Sequence, residues 1–203
     1  MFQRVNKKFM HRYYIFYKPY GVLSQFTKEG DKKTLADFLG GISKDIYPVG
    51  RLDVDSEGLL LLTNDKAITH RLLEPKFSHK RTYWVQTDGT IDNDAIKKIE
   101  AGVQINVNGK IYTTKKAIVK KFEQAPEVPE RNPPIRYRKN IPTSWIALTI
   151  TEGKNRQVRK MTAGVGYPTL RLIRYSIGNI SIDGMKEGAY KELDEVSMKR
   201  LFE

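Results

Sequence analysis

The stretch Tyr47 to Asp65, YPVGRLDVDSEGLLLLTND, constrains this chain more than any other. Leu59 to Leu62 form a solidly apolar run. A run this short and this apolar reads as a strand buried on both faces. Arg51 and Asp53 stand on a turn directly before it, and Asn64 and Asp65 follow as caps of a helix with Ile68, Leu72 and Leu73 at helical spacing. A carboxylate therefore sits at the lip of a rigid core element, where loops carry chemistry because the scaffold holds them still. A lone Asp on a turn is usually just solvated, but this one has a guanidinium two residues away. The same stretch imitates the first half of a calcium loop through Asp53-Val54-Asp55-Ser56-Glu57-Gly58. The second half fails, because the twelfth position is Asn64 and the leucines between carry no oxygen.

At 203 residues, 39% hydrophobic and 29% charged, the chain is globular. Its expected organisation is one catalytic domain over 1–203, built of two lobes that share a core. No apolar run approaches the length of a bilayer, and Met1 to Arg12 is too basic for a signal peptide. With 0 Cys, disulfides, zinc ribbons and thiol nucleophiles are excluded. A cytoplasmic location is the expectation. His11, His70 and His79 lie on different elements without metal-ligand spacing, so no metal and no cofactor are expected.

The net charge of +13 favours a polyanionic partner, nucleic acid before an acidic membrane. The basic residues are clustered: Arg4, Lys7, Lys8 and Arg12; then Arg131, Arg136, Arg138 and Lys139; then Lys154, Arg156, Arg159, Lys160, Arg171 and Arg174. Any one cluster could be a solvated face. Interleaved with Tyr137, Trp145 and Tyr167, the three read as a surface for phosphates and stacked bases.

Along the chain, Tyr13 to Tyr17 is β-prone and ends in the turn Lys18-Pro19-Tyr20-Gly21. Thr34 caps a short helix, Leu35 to Leu39. The helix after Asp65 should stop at Glu74-Pro75. Arg81 to Val85 reads as a strand, Asp92 to Ala101 as an amphipathic helix stopped by Gly102, and Val103 to Val119 as alternating strands around an Asn108-Gly109 turn. Gln124 to Pro134 reads as an exposed loop and Trp145 to Thr151 as a strand. Arg156 to Ala163 is expected to be a helix ended by Gly164, Tyr175 to Ile182 a last strand, and Leu193 to Leu201 a terminal helix.

Three strings lie in one order: KPYG at Lys18, GRLD followed by GLLLLTND around Asp53, and GKNRQVRKM at Gly153, with Arg81-Thr82-Tyr83 between the last two. Together they resemble the motifs of the ribosomal branch of RNA pseudouridine synthases, over nearly the whole chain from Tyr14 onward. RNPPIRYRKNIPTSW and GVGYPTLRLIR look particularly like the E type of that branch, which modifies bacterial large-subunit ribosomal RNA. Many members begin with a small helical RNA-binding domain of the S4 type; this sequence starts at the catalytic part, so no such domain is expected. The resemblance implies an α+β fold, a mixed and mostly antiparallel sheet bent across two lobes with helices outside.

It also implies roles. Asp53 is the indispensable catalytic carboxylate, Tyr83 packs on the target base, and Arg159 pairs with Asp53 to keep it charged and aimed, since a buried carboxylate without a partner takes up a proton. Arg81 stands where the family usually has Lys, keeping charge while changing geometry. RNA contacts are expected from Lys18, Arg51, Arg81, Arg136, Arg138, Lys154, Arg156, Lys160, Arg171 and Arg174. The implied reaction detaches uracil from C1′, rotates it and rejoins it through C5, with Asp53 attacking covalently or taking a ribose proton. The partner is large-subunit ribosomal RNA, free or in an assembling particle, and the expected state is a monomer. Two other classes fit the charge. One is a catalytically idle RNA-binding module on the same fold. The other is a metal-dependent nuclease using Asp53, Asp55 and Glu57, which alternate along the chain and so split across a strand.

Overall fold

A computed structural model describes residues 10–135 and 142–202 of the chain. Among them a nine-stranded mixed sheet forms the frame, with a separate two-stranded hairpin beside it. The strands are β1 (Tyr13–Lys18), β2 (Tyr47–Pro48), β3 (Glu57–Thr63), β4 (Arg81–Asp88), β5 (Gln104–Val107), β6 (Lys110–Thr113), β7 (Ile118–Lys121), β8 (Thr143–Ile150), β9 (Thr169–Ile177), β10 (Ile180–Ser181) and β11 (Tyr190–Leu193). The helices are α1 (Lys66–Leu73), α2 (Asn93–Ala101), α3 (Gln157–Gly164) and α4 (Glu195–Lys199). The main sheet runs β11-β1-β3-β9-β4-β8-β7, with β2 added to β3 and β10 to β9. Only β3 and β9 pair in parallel, over just Glu57↔Ile173 and Gly58↔Arg174. This α+β, mostly antiparallel sheet is the expected class.

The leucine run does what its composition dictates. Every residue of β3 is buried. Side chains alternate across a strand, and accordingly Leu59 and Leu61 join one core with Ile15, Tyr17, Ile173 and Met198. Leu60 and Leu62 join another with Tyr14, Phe16, Leu35 and Ile46. A third core lies under β4 and β8, where Val85, Ile146 and Leu148 meet Ala95 and Ile99 of α2 and Val158 and Met161 of α3. Asp65 caps α1 as expected, its carboxylate accepting from Ala67 N and Ile68 N. The Thr34 segment forms only a 3-10 turn, Leu35–Asp37, whose start is capped by Asp37 accepting from the Thr34 amide.

Three stretches differ from expectation. The basic, apolar residues before Tyr175 are not a surface run but the first two-thirds of β9. That strand ends at Ile177, where Gly178 turns the chain into β10, so Tyr175 to Ile182 is a hairpin and not one strand. The polar β11 pairs with β1 through the backbone ladder, with Tyr190 edge-on to Tyr14 and Glu192 facing Arg12, and its mostly exposed side chains left no periodic signal in the sequence.

Candidate active site

The site is assembled where three loops converge. The first follows β1. Gly21 adopts φ +76, a left-handed conformation open to glycine, and its amide donates to Val54 O at 2.8 Å. That bond ties the Pro19 turn to the loop carrying Asp53 and Asp55. Ser56 N donates to Asp53 O at 3.0 Å and closes the loop into a turn immediately before β3. The third element is α3, whose cap residue Arg156 is itself left-handed (φ 50, ψ 33).

These loops border a cleft of about 420 Å³. Asp53, Arg51, Arg81, Tyr83, Lys154, Arg156 and Arg174 line it, over an apolar floor that includes Val49, Leu72, Ile150, Val158 and Leu172. Tyr83 lies on β4 beside Arg174 of β9, on the strands that form the cleft base. The side chain of Asp53 is 39% exposed, so the carboxylate is open to a ligand while its backbone is fixed.

The electrostatics centre on two carboxylates and two guanidiniums. Arg156 donates to both oxygens of Asp55, at 3.0 and 2.8 Å, and reaches Asp53 Oδ2 at 3.4 Å. Arg159, with its side chain 14% exposed, donates to the Asp55 backbone carbonyl at 2.6 Å and faces the Asp55 carboxylate at 3.4 Å. Burial pushes the Asp55 carboxyl up, but the Arg156 hydrogen bonds and the two positive charges outweigh it and hold it below its ordinary pKa. Burial lowers Arg159, with Asp55 opposing. Arg156 is raised, first by its hydrogen bonds to Asp55.

Of the expected Arg159–Asp53 pair, the structure brings Arg159 into contact with Asp55, and Asp53 acts on it through space. Arg159 sits one turn into α3 and reaches under the loop to the Asp55 backbone; the capping Arg156 is the residue that meets Asp53. The sequence placed Arg156 among the RNA contacts and Asp55 only in the nuclease alternative, and it did not foresee that the two pair with each other. They stand 101 residues apart, and no local pattern predicts their meeting.

Three of the expected RNA contacts are buried side chains. Lys18 is fully buried, its ammonium donating to Pro19 O at 2.9 Å and Val22 O at 2.7 Å. Arg171 is buried against Glu57 with contacts of 2.9 and 2.6 Å, and Arg174 is buried with Nε on Leu59 O at 2.7 Å. Lys18 and Arg171 are thereby closed off from solvent, whereas Arg174, though buried, borders the cleft. Arg51, Lys154 and Arg156 do stand at the surface, and Lys160 is half-buried. Arg81 lines the cleft and donates to Leu72 O at 2.8 Å. Arg136 and Arg138 lie outside the described residues. Glu57, being buried in its ion pair, leaves the acidic set suggested for a nuclease, and among the described residues no group of three His, Cys, Asp or Glu gathers to hold a metal.

An open aspartate on a fixed loop, an arginine beside it and a tyrosine in the same apolar-floored cleft of a basic protein have the make-up of an enzyme active site suited to a polyanionic substrate. Comparison with known proteins gives the class its family. Residues 12–164 match the family model described as RNA pseudouridylate synthase. The ribosomal large subunit pseudouridine synthase E of Vibrio parahaemolyticus is 49% identical over 179 residues, covering 88% of this chain and 72% of that one. Its counterpart in Xanthomonas axonopodis pv. citri is 48% identical over 170 residues, covering 83% and 86%. A solved pseudouridylate synthase superposes with a TM-score of 0.76 at 26% identity, covering 95% of this chain and 74% of that one. The chain belongs to the RNA pseudouridine synthase family, and is an isomerase of that kind.

Proposed function

We propose that the protein isomerises a specific uridine of 23S, large-subunit ribosomal RNA to pseudouridine, in the cytoplasm, with Asp53 as the catalytic carboxylate. The observation that carries this is the placement of Asp53, open at the mouth of a cleft whose floor is apolar and whose rim is basic. The relatives that resemble the chain along most of its length bear the matching name.

The reaction needs the uridine out of its stack before any side chain can reach it. Arg51, Arg81, Lys154, Arg156 and Lys160 hold phosphates around the cleft, while Val49, Leu172 and the Tyr83 ring receive the flipped uracil. In balance, the N1–C1′ bond breaks, a C5–C1′ bond forms, C5 loses a proton and N1 gains one. An ionised Asp53 serves this either by bonding to C1′ or by taking a ribose proton; both routes need a carboxylate that is charged, aimed and not saturated by donors. Tyr83 stacks on the uracil and holds it during rotation. Arg159 fixes the loop from below through the Asp55 backbone.

The test is incubation of the purified protein with uridine-labelled large-subunit rRNA fragments in chelator, beside Asp53→Asn. Pseudouridine from the native protein and none from Asp53→Asn is expected. Equal product from both would remove Asp53 from the chemistry. Tight binding with no product on either free RNA or an assembling particle would favour the idle RNA-binding module.

A further inference from the structure

We propose that the turn after α1 is a stacking shelf for RNA: the ring of Phe77, backed by His79, receives a nucleobase of the strand that leads into the cleft, and the cations of the same turn hold that strand's phosphates. The inference rests on the reading of the cleft as the place where RNA reacts.

From Lys66 to Arg81 the chain carries Lys66, Arg71, Lys76, Lys80 and Arg81 against a single acid, Glu74. Leu73, Glu74, Pro75, Ser78 and His79 line the cleft, so this turn forms part of its wall. Phe77 stands between the cleft-lining Pro75 and Ser78 and is 43% exposed; Leu73, at the end of α1, is 48% exposed. An exposed phenylalanine by itself is ordinary. This one belongs to a built stack. Its ring lies 6.0 Å from that of His79, inclined by 28°. His79 in turn packs T-shaped on Phe202 at 5.3 Å, and the Arg71 guanidinium lies 3.8 Å from the centre of the Phe202 ring. Lys76 Nζ lies 5.1 Å from the centre of the Phe77 ring.

The backbone fixes the shelf. Pro75 opens a 3-10 turn, Pro75–Phe77, and Ser78 closes it in the left-handed region at φ 50, its amide donating to Pro75 O at 3.2 Å. His79 Nε2 donates to Arg71 O at 3.0 Å and so ties the imidazole to the end of α1. Burial, with Arg81 and Arg71 nearby, lowers the His79 pKa against the opposing pull of that hydrogen bond, which leaves the ring uncharged near neutral pH. Every base has a π face, so an aromatic shelf accepts any base while cations beside it take the backbone; proteins hold single-stranded nucleic acid by this combination. A protein partner is the poorer fit, because the centre of a protein interface is depleted of charge, whereas Phe77 and Leu73 lie in the chain among Arg71, Lys76, Lys80 and Arg81.

The experiment titrates a labelled large-subunit rRNA fragment, at several salt concentrations, onto native protein, Phe77→Ala, Phe77→Leu and Phe77→Trp, with thermal melting of each to confirm that it is folded. Phe77→Ala should bind about tenfold more weakly at every salt concentration and keep the native slope, because a stacked base contributes about that factor and releases no counterion. Phe77→Leu keeps bulk without a π face and should lose nearly as much; Phe77→Trp should bind at least as tightly as native protein. Native affinity in Phe77→Ala, or in Phe77→Leu, overturns the stacking. Turnover at saturating RNA should stay native in all three variants while KM follows the affinity. A fall in turnover with KM unchanged would place Phe77 in the machinery of the reaction and overturn the shelf. A second readout needs no turnover. Native Phe77 is replaced by the photo-crosslinking p-benzoylphenylalanine, and the protein is irradiated with the rRNA fragment and, separately, with a large-subunit particle. A cross-link to RNA within a few nucleotides of the pseudouridine is expected. A cross-link only to a ribosomal protein, to a second copy of this chain or to RNA remote from the pseudouridine overturns the proposal. A salt-independent loss in Phe77→Ala and an RNA cross-link, from a protein that makes no pseudouridine, would instead place the failure in the proposed function.

Discussion

Lys18 follows five strand residues and precedes a proline turn in a chain of net charge +13, which makes it look like one more phosphate contact. Its ammonium is instead fully enclosed. Burial drives its pKa from 10.5 down to about 8, against the opposing pull of Glu57 and Asp55. Above 10.5 the amine is neutral both folded and unfolded. Between about 8 and 10.5 the unfolded chain binds more protons than the folded one, so this residue makes stability rise with pH across that window. Below about 8 the full cost of the buried charge is present, on the order of 3 kcal/mol. Comparing urea unfolding of native protein and Lys18→Met from pH 7.5 to 10.5 checks this. The stability difference should favour the variant most at the acid end and shrink as pH rises; a constant difference would mean that Lys18 does not titrate there. Residue placement was legible where a motif carried it, as for Asp53 and Tyr83, which both line the cleft. It was not legible where burial decides, as for Lys18, because charge composition says nothing about which side of a strand faces water.

Along the path β11-β1-β3-β9-β4-β8-β7, the narrowest seam is β3 against β9, two residue pairs of parallel ladder at its centre. Two devices reinforce it. Gly58, at φ +104, lets the strands approach so closely that an added Cβ would lie 2.3 Å from Arg174 O. Beside it, Arg171 grips Glu57 in a buried bidentate pair. Removing one partner of such a pair leaves an uncompensated buried charge and costs about 3–5 kcal/mol. Glu57→Gln should therefore lower stability by that amount in chemical denaturation. Arg171→Met combined with Glu57→Met should cost much less than the sum of the single changes, and additive losses would refute the coupling. Because β3 also ends the Asp53 loop, the Glu57→Gln loss should appear in turnover as well. Elements with a strong pattern were readable from sequence: the leucine strand, α1 with its Asp65 cap, and α2 stopped by Gly102. β9 was not, since a nine-residue strand containing Arg171 and Arg174 reads as surface unless their partners Glu57 and Leu59 O are known. The same non-local pairing hides β11.

Across the whole molecule, the charge surplus now divides into cations that hold the fold and cations that can meet RNA. Lys18 and Arg171 belong to the interior, and Arg174 is buried at the cleft base; Arg51, Lys154 and Arg156 stand exposed around the cleft. Neutralising a phosphate releases counterions, and for a single strand each contact contributes about 0.7 to the slope of log affinity against log salt. RNA affinity should consequently fall steeply between 50 and 200 mM salt, conditions over which a protein with several contacts loses orders of magnitude. Arg51→Gln and Lys154→Gln should each reduce the slope by about 0.7 while leaving thermal stability unchanged. Asp53→Asn should bind with the native slope, because the proposed reaction puts its carboxylate against the reacting nucleotide and not the backbone. Arg171→Met should do the reverse of the rim variants, lowering stability through the orphaned Glu57 while preserving the slope of whatever protein remains folded. Titrations of a labelled rRNA fragment at four salt concentrations separate these outcomes. A flat salt dependence would mean that the exposed arginines and lysines do not contact phosphate, and the basic rim would then need a different anionic partner to explain it.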